Sequence, residues 1–214
     1  MGFEPINLNA WERAEHYRHF MEEVPCGYSV TVELDITNLA GQRLYPAMLW
    51  LITHTVNEFP AFRTALTDKG PGVYGQMHPA YTVFNEERKT FSGIWTAFDE
   101  DYGAFLKAYE RDVAQYASST AYEPKPGRPE NSFDISMIPW AQFTSFNLNF
   151  FGGSGKYLLP IFTMGKAFMR DGKRMLPLAV QVHHAVCDGY HVGMFVESLQ
   201  RKINGALLNE PCVI

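Results

Sequence analysis

The chain has 214 residues and a net charge of −5, enough length for one domain with a sizeable core and an acidic balance that speaks against a nucleic-acid surface. Its three cysteines, Cys26, Cys187 and Cys212, are too few and too odd for a disulfide framework, which points to a reducing compartment. No apolar run approaches the roughly 18 residues of a membrane helix, and the first twenty residues lack a basic region followed by an apolar stretch, so a soluble cytoplasmic protein without a signal peptide is expected.

Asn9, with Glu12 three residues later, predicts a capped helix over about 10–22, stopped by Pro25 and Gly27. YSVTVELDI (28–36) alternates as a half-buried strand, with Tyr28, Val30, Val32 and Leu34 on one face. RLYPAMLWLITHTVNEF (43–59) reads as a largely apolar helix with Pro46 in its first turn. YTVFNEERKTFSGIW (81–95) reads as a hairpin and AFLKAYERDVAQYA (104–117) as an amphipathic helix, followed by a Pro-rich polar loop over 123–131. Strand-like runs follow: FDISMI, FTSFNLNF, LLPIFTMGKAFMR and MLPLAVQVHH, the last two joined by a turn at Asp171-Gly172. A closing helix after Gly189 carries Val192, Phe195, Val196, Leu199 and Ile203 on one face. PCVI at the end is no prenylation box, because Cys212 stands third from the end rather than fourth. The interspersed pattern predicts a single domain, 1–214, of α+β class: a mixed sheet covered by helices in two layers.

The densest chemistry lies in QVHHAVCDGYH (181–191). If LPLAVQVHH is a strand, His184 shares a face with Leu178, Val180 and Val182, while Gln181 and His183 point the other way. A desolvated, neutral imidazole beside an apolar pocket suits a general base. Asp188 reads either as the N-cap of the closing helix or as a carboxylate that holds the loop, needing a distant cation such as an arginine. Three other readings stay open on spacing alone: a metal site built from His184, Asp188 and His191, a nucleophilic Cys187, or a wholly structural cluster.

HHAVCDG fits HHxxxDG, the signature of CoA-dependent acyltransferases. Over essentially its whole length the chain resembles the type A chloramphenicol acetyltransferases, through QVHHAVCDGYHV, WERAEHYRHF (11–20), PCGYS (25–29), HPAYTVFNEERKTFS (78–92), ISMIPWAQFTSFNLN (135–149) and PIFTMGKAF (160–168). The resemblance implies a homotrimer of two-layer α/β sandwiches with active sites between subunits. It implies acetyl transfer from acetyl-CoA, a co-substrate rather than a bound cofactor, to the 3-hydroxyl of chloramphenicol, without a covalent intermediate and without a metal. It makes His184 the general base, Ser136 the oxyanion donor, and Asp188 a structural group paired with Arg13. It assigns Phe20, Val24, Cys26, Tyr28, Thr82, Phe91, Gly93, Phe146, Leu148 and Ile161 to the acceptor pocket. Trp140, Thr163 and Lys166 fall on the CoA side, Thr163 helping through a water. Cys187, His183 and His191 are left without a catalytic role. Lys166, Arg170, Lys173 and Arg174 form a local cationic cluster, of which Lys173 and Arg174 read as a solvated hairpin tip. Ala167, Asp134, Gly93 and the Gly-rich segment 152–155 depart from the family pattern.

Overall fold

The computed structural model describes residues 2–149 and 155–205. Cys212 and residues 152–154 of the Gly-rich segment lie outside them. In chain order the strands are β1 (Phe3–Pro5), β2 (Gly27–Asp35), β3 (Thr64–Thr67), β4 (Gly70–Tyr74), β5 (His78–Asn85), β6 (Thr90–Trp95), β7 (Ser132–Met137), β8 (Ile161–Met164), β9 (Phe168–Arg170) and β10 (Lys173–His183). The helices are α1 (Ala14–Arg18), α2 (Leu44–Val56), α3 (Pro60–Arg63), α4 (Tyr102–Tyr116) and α5 (Gly189–Gly205). The main sheet runs β2-β10-β8-β7-β5-β6, with β9 also paired to β10, and a small sheet runs β1-β4-β3. Pairs β5–β7 and β7–β8 are parallel and the other pairs of the main sheet antiparallel, so the sheet is mixed, as expected.

Strand alternation divides the main sheet into two unlike faces. Val32, Leu34, Leu176, Leu178, Val180, Val182, Phe162, Met164, Phe133, Ile135 and Tyr81 join one core cluster with α2 and α5, whose Leu49, Ile52, Phe195 and Leu199 are all 0% exposed. Phe162 stacks on Phe195, and Phe195 on Phe62, at centroid distances of 5.2 and 4.6 Å. α2 is buried nearly all round, and its buried Thr53 and Thr55 return their hydroxyls to Leu49 O and Leu51 O at 2.7 Å, so neither hydroxyl is stranded. The opposite face carries Thr31, Ala179, Gln181, His183, Ile161, Thr163, Asp134, Ser136, Thr82 and Gly93, and no helix covers it among the described residues.

Three local expectations change. The first helix is shorter than 10–22: Asn7 Oδ1 accepts from Asn9 N in a tight turn, α1 begins at Ala14, and a π-helical turn, His19–Glu23, follows it. FTSFNLNF does not form a strand over 143–149. Its ladder partners are side chains: Gln181 accepts from Leu148 N at 2.8 Å and donates to Leu148 O at 3.0 Å, as a neighbouring main chain would. LLPIFTMGKAFMR splits into β8 and β9. The break lies opposite Pro177, which has no N–H to give, and at Gly165, where a Cβ would stand 3.0 Å from the Phe143 ring and 3.2 Å from Ala141 O. The Asp171-Gly172 turn has positive φ at both positions, 52° and 77°, as a two-residue hairpin requires.

Candidate active site

β10 ends at His183, and the chain turns through 184–188 into α5. His184 therefore leaves the strand and does not continue the apolar row of Leu178, Val180 and Val182, which corrects the parity reading. Its main chain is held on both sides instead: its N–H donates to Cys26 O at 3.0 Å, and its carbonyl accepts from Arg13 Nη2 at 2.9 Å. The imidazole stacks on Phe20, with centroids 4.0 Å apart and planes 10° apart, and meets the edge of Tyr28 at 5.2 Å. Nδ1 is buried without a hydrogen-bond partner among the described residues.

Arg13 acts as a three-pronged clamp on this turn. Besides His184 O it donates from Nε to Ala185 O at 3.1 Å and from Nη1 to Asp188 Oδ2 at 2.6 Å. Asp188 Oδ1 accepts from Tyr190 N at 3.1 Å and lies 2.8 Å from His191 Nδ1. Asp188 is thus both the N-cap of α5 and the loop's scaffold, so its two readings are compatible. Burial pushes its carboxyl up, and the bonds from Arg13 and His191 outweigh that, leaving it at about 2. His191 is the residue that sequence reasoning undervalued; its i,i+3 spacing from Asp188 at a helix start was the available signal.

Cys187 is 1% exposed, and burial pushes its thiol up to about 12, so no thiolate is available and the nucleophile reading falls. His183 is buried with a pKa lowered chiefly by desolvation, and its Nδ1 accepts from Ala185 N at 3.2 Å. It is not merely packed. It lines an open cavity of about 440 Å³ together with Cys26, Gly27, Leu148, Ile161 and Gln181.

The second cluster lies on the helix-free face. Ser136 of β7 sits beside Thr163 of β8, their hydroxyls 3.0 Å apart. Thr82 pairs with Gly93 and Phe84 with Phe91, on the same face by alternation. Ile161 belongs to this face too, and Phe146 and Leu148 reach it on the coil tied to Thr31 and Gln181. Trp140 is 60% exposed and meets Phe84 edge-on at 4.6 Å. Lys166 is exposed, its N–H donating to Ala141 O. Of the cationic cluster, Arg170 is bonded to Glu33 and Lys173 lies 3.0 Å from Asp35, so two of its four charges are already matched.

One subunit does not bring the two clusters together. Ser136, Thr163 and Ala179 are in register across the sheet, and His184 lies five residues farther along the chain. Two strand spacings and the four residues of rise to the end of β10 put His183 about 16 Å from Ser136, and His184 follows in the turn beyond it. Arg13, Phe20, Cys26 and Tyr28 gather around His184 and Thr82, Phe91 and Gly93 belong with Ser136, while Ile161 and Leu148 meet Cys26 in the cavity beside His183.

A mixed sheet covered by helices on one face, with a histidine turn at one end, makes a two-layer α+β fold. Among solved structures, a chloramphenicol acetyltransferase matches with a TM-score of 0.80 at 22% identity, covering 94% of this chain and 100% of that one. The dihydrolipoamide acetyltransferase of Azotobacter vinelandii matches at 0.65 and 20% identity, covering 89% of this chain and 86% of that one. The chain belongs to the chloramphenicol acetyltransferase family: the profile of that family matches residues 1–200. Chloramphenicol acetyltransferases of Clostridium perfringens and Clostridioides difficile are each 49% identical to it, over 95% of this chain and 100% and 97% of theirs. That of Staphylococcus aureus is 43% identical over 95% of this chain and all of its own.

Proposed function

We propose that this protein transfers acetyl from acetyl-CoA to the 3-hydroxyl of chloramphenicol, as a cytoplasmic homotrimer whose active sites lie between neighbouring subunits. Family membership supports the reaction. The observation that carries the site is the fixing of His184 through its peptide N–H, its carbonyl and the face of its ring. An imidazole held this rigidly is prepared for proton transfer at Nε2. The separation of about 16 Å between Ser136 and the end of β10, where the His184 turn begins, supports a shared site, since the reaction needs both at one carbonyl.

His184 Nε2 takes the proton of the acceptor hydroxyl as that oxygen attacks the thioester carbonyl. Ser136 of a neighbouring subunit donates to the oxyanion that develops, and Thr163 orients the serine hydroxyl. Collapse of the tetrahedral intermediate breaks the carbon–sulfur bond, and His184 returns its proton to the CoA sulfur. An oxyanion donor of this kind lowers the barrier by about 3 kcal/mol, and holding both substrates in contact supplies much of the rest. Phe20, Val24, Cys26 and Tyr28 form the histidine side of the acceptor pocket. Thr82, Phe91, Gly93, Phe146, Leu148 and Ile161 form the serine side, and Trp140 and Lys166 face CoA. Acetyl-CoA enters as a co-substrate, with no resident cofactor.

The test is thiol release from acetyl-CoA in the presence of chloramphenicol or its 3-deoxy analogue. Turnover with the first and not with the second is expected. Negligible turnover of chloramphenicol would reassign the protein to another hydroxylated apolar acceptor, or to ligand sequestration.

A further inference from the structure

The helix-free face holds, beside Ser136, an ion pair that the transfer reaction does not itself use. Asp134 precedes Ser136 by two residues on β7 and shares its face, so their Cα atoms are about 7 Å apart. Asp134 Oδ1 lies 2.8 Å from Arg128 Nη2, and Oδ2 accepts from Tyr157 Oη at 2.9 Å. Arg128 also donates to Ser132 Oγ at 2.9 Å and lies 3.7 Å from Glu123. The loop that carries it is fastened to the edge strand: Tyr122 O accepts from Gly93 N at 2.6 Å, and Lys125 pairs with Asp112 at 2.6 Å beneath the Trp95 ring. Burial and the neighbouring Asp134 push the Tyr157 phenol up, which keeps it protonated and donating.

Thioester attack builds negative charge at the Ser136 hydroxyl. An unmatched carboxylate about 7 Å away opposes that charge, and a site emptied of water by its substrates screens it poorly. We propose that Arg128 is a positioning residue for acetyl transfer: by matching the charge of Asp134 and holding it against Tyr157, it keeps the field at Ser136 favourable to the oxyanion. The inference rests on reading Ser136 as the oxyanion donor. It gives the Pro-rich loop 123–131, which the family-like motifs do not include, a part in the reaction.

The test is a double-mutant cycle in the full-length enzyme, reading kcat and the KM for chloramphenicol. Arg128→Gln is expected to lower kcat about tenfold with KM changed less than about twofold, while the same substitution in an Asp134→Asn background changes kcat less than about twofold. Loss of equal size in both backgrounds, or no loss in the native one, overturns the proposal, because an arginine that only supports its loop is not relieved by removing the neighbouring charge. If Arg128→Gln does not fold, Arg128→Met is read in the same two backgrounds with the same expectations. Ser136→Ala separates the two ideas. If it costs less than about threefold in kcat, the oxyanion reading itself fails; a large cost together with an additive cycle rejects the role of Arg128 alone.

Discussion

Around His184 each contact fixes a different degree of freedom. Arg13 and Cys26 fix its peptide, Phe20 sets the plane of the ring, and Tyr28 closes its edge. His184→Ala removes the proposed base and leaves these supports in place, so kcat is expected to fall by about 10²–10⁴-fold while chloramphenicol still binds; steady-state kinetics and equilibrium binding check the two halves separately. Asp188 yields a prediction in pH. Its carboxyl sits at about 2 in the folded protein, below the ordinary value of about 3.9, so the Arg13–Asp188–His191 group stabilises the fold above about pH 4. That contribution fades as pH falls from about 4 toward 2. Asp188→Asn should flatten the dependence of urea-unfolding free energy on pH across this window. Asp35, also at about 2 through its bonds from Thr37 and Lys173, should keep the remaining slope.

Among the elements, those whose identity rests on a local rule were legible in the sequence. The hairpin of β5 and β6, the apolar helix α2 and the Asp171-Gly172 turn are local matters of alternation, burial and φ. The coil at 143–149 and the break between β8 and β9 were not legible, because alternation says nothing about whether a main-chain partner waits alongside. The partner at 148 is the Gln181 side chain, and the break depends on Pro177 on another strand. The histidine turn was legible as a motif, but the exit of His184 from β10 was not, since strand parity holds only while the strand lasts. Helix caps give a direct test. Asp101 Oδ1 accepts from Ala104 N at 2.7 Å at the start of α4, whereas Asn9 caps nothing. Asp101→Ala should cost about 1 kcal/mol and Asn9→Ala less than about 0.5 kcal/mol, read as shifts in denaturation midpoint at unchanged slope.

For the whole molecule, the proposed shared site makes assembly a condition of activity. Subunits carrying His184→Ala and subunits carrying Ser136→Ala should each be nearly inactive alone. Refolded together, they should regain a fraction of native turnover, because some interfaces then join an intact histidine to an intact serine; two parents that stay inactive after mixing would reject the shared site. The clamp on the base also has a consequence in time. Arg13 is made well before its three acceptors, which come 171 to 175 positions later. The proposed base is therefore seated only after Asp188 has emerged and the segment around Arg13 has folded back onto the turn after β10. A ribosome stalled anywhere before His184 holds a chain on which that clamp cannot close.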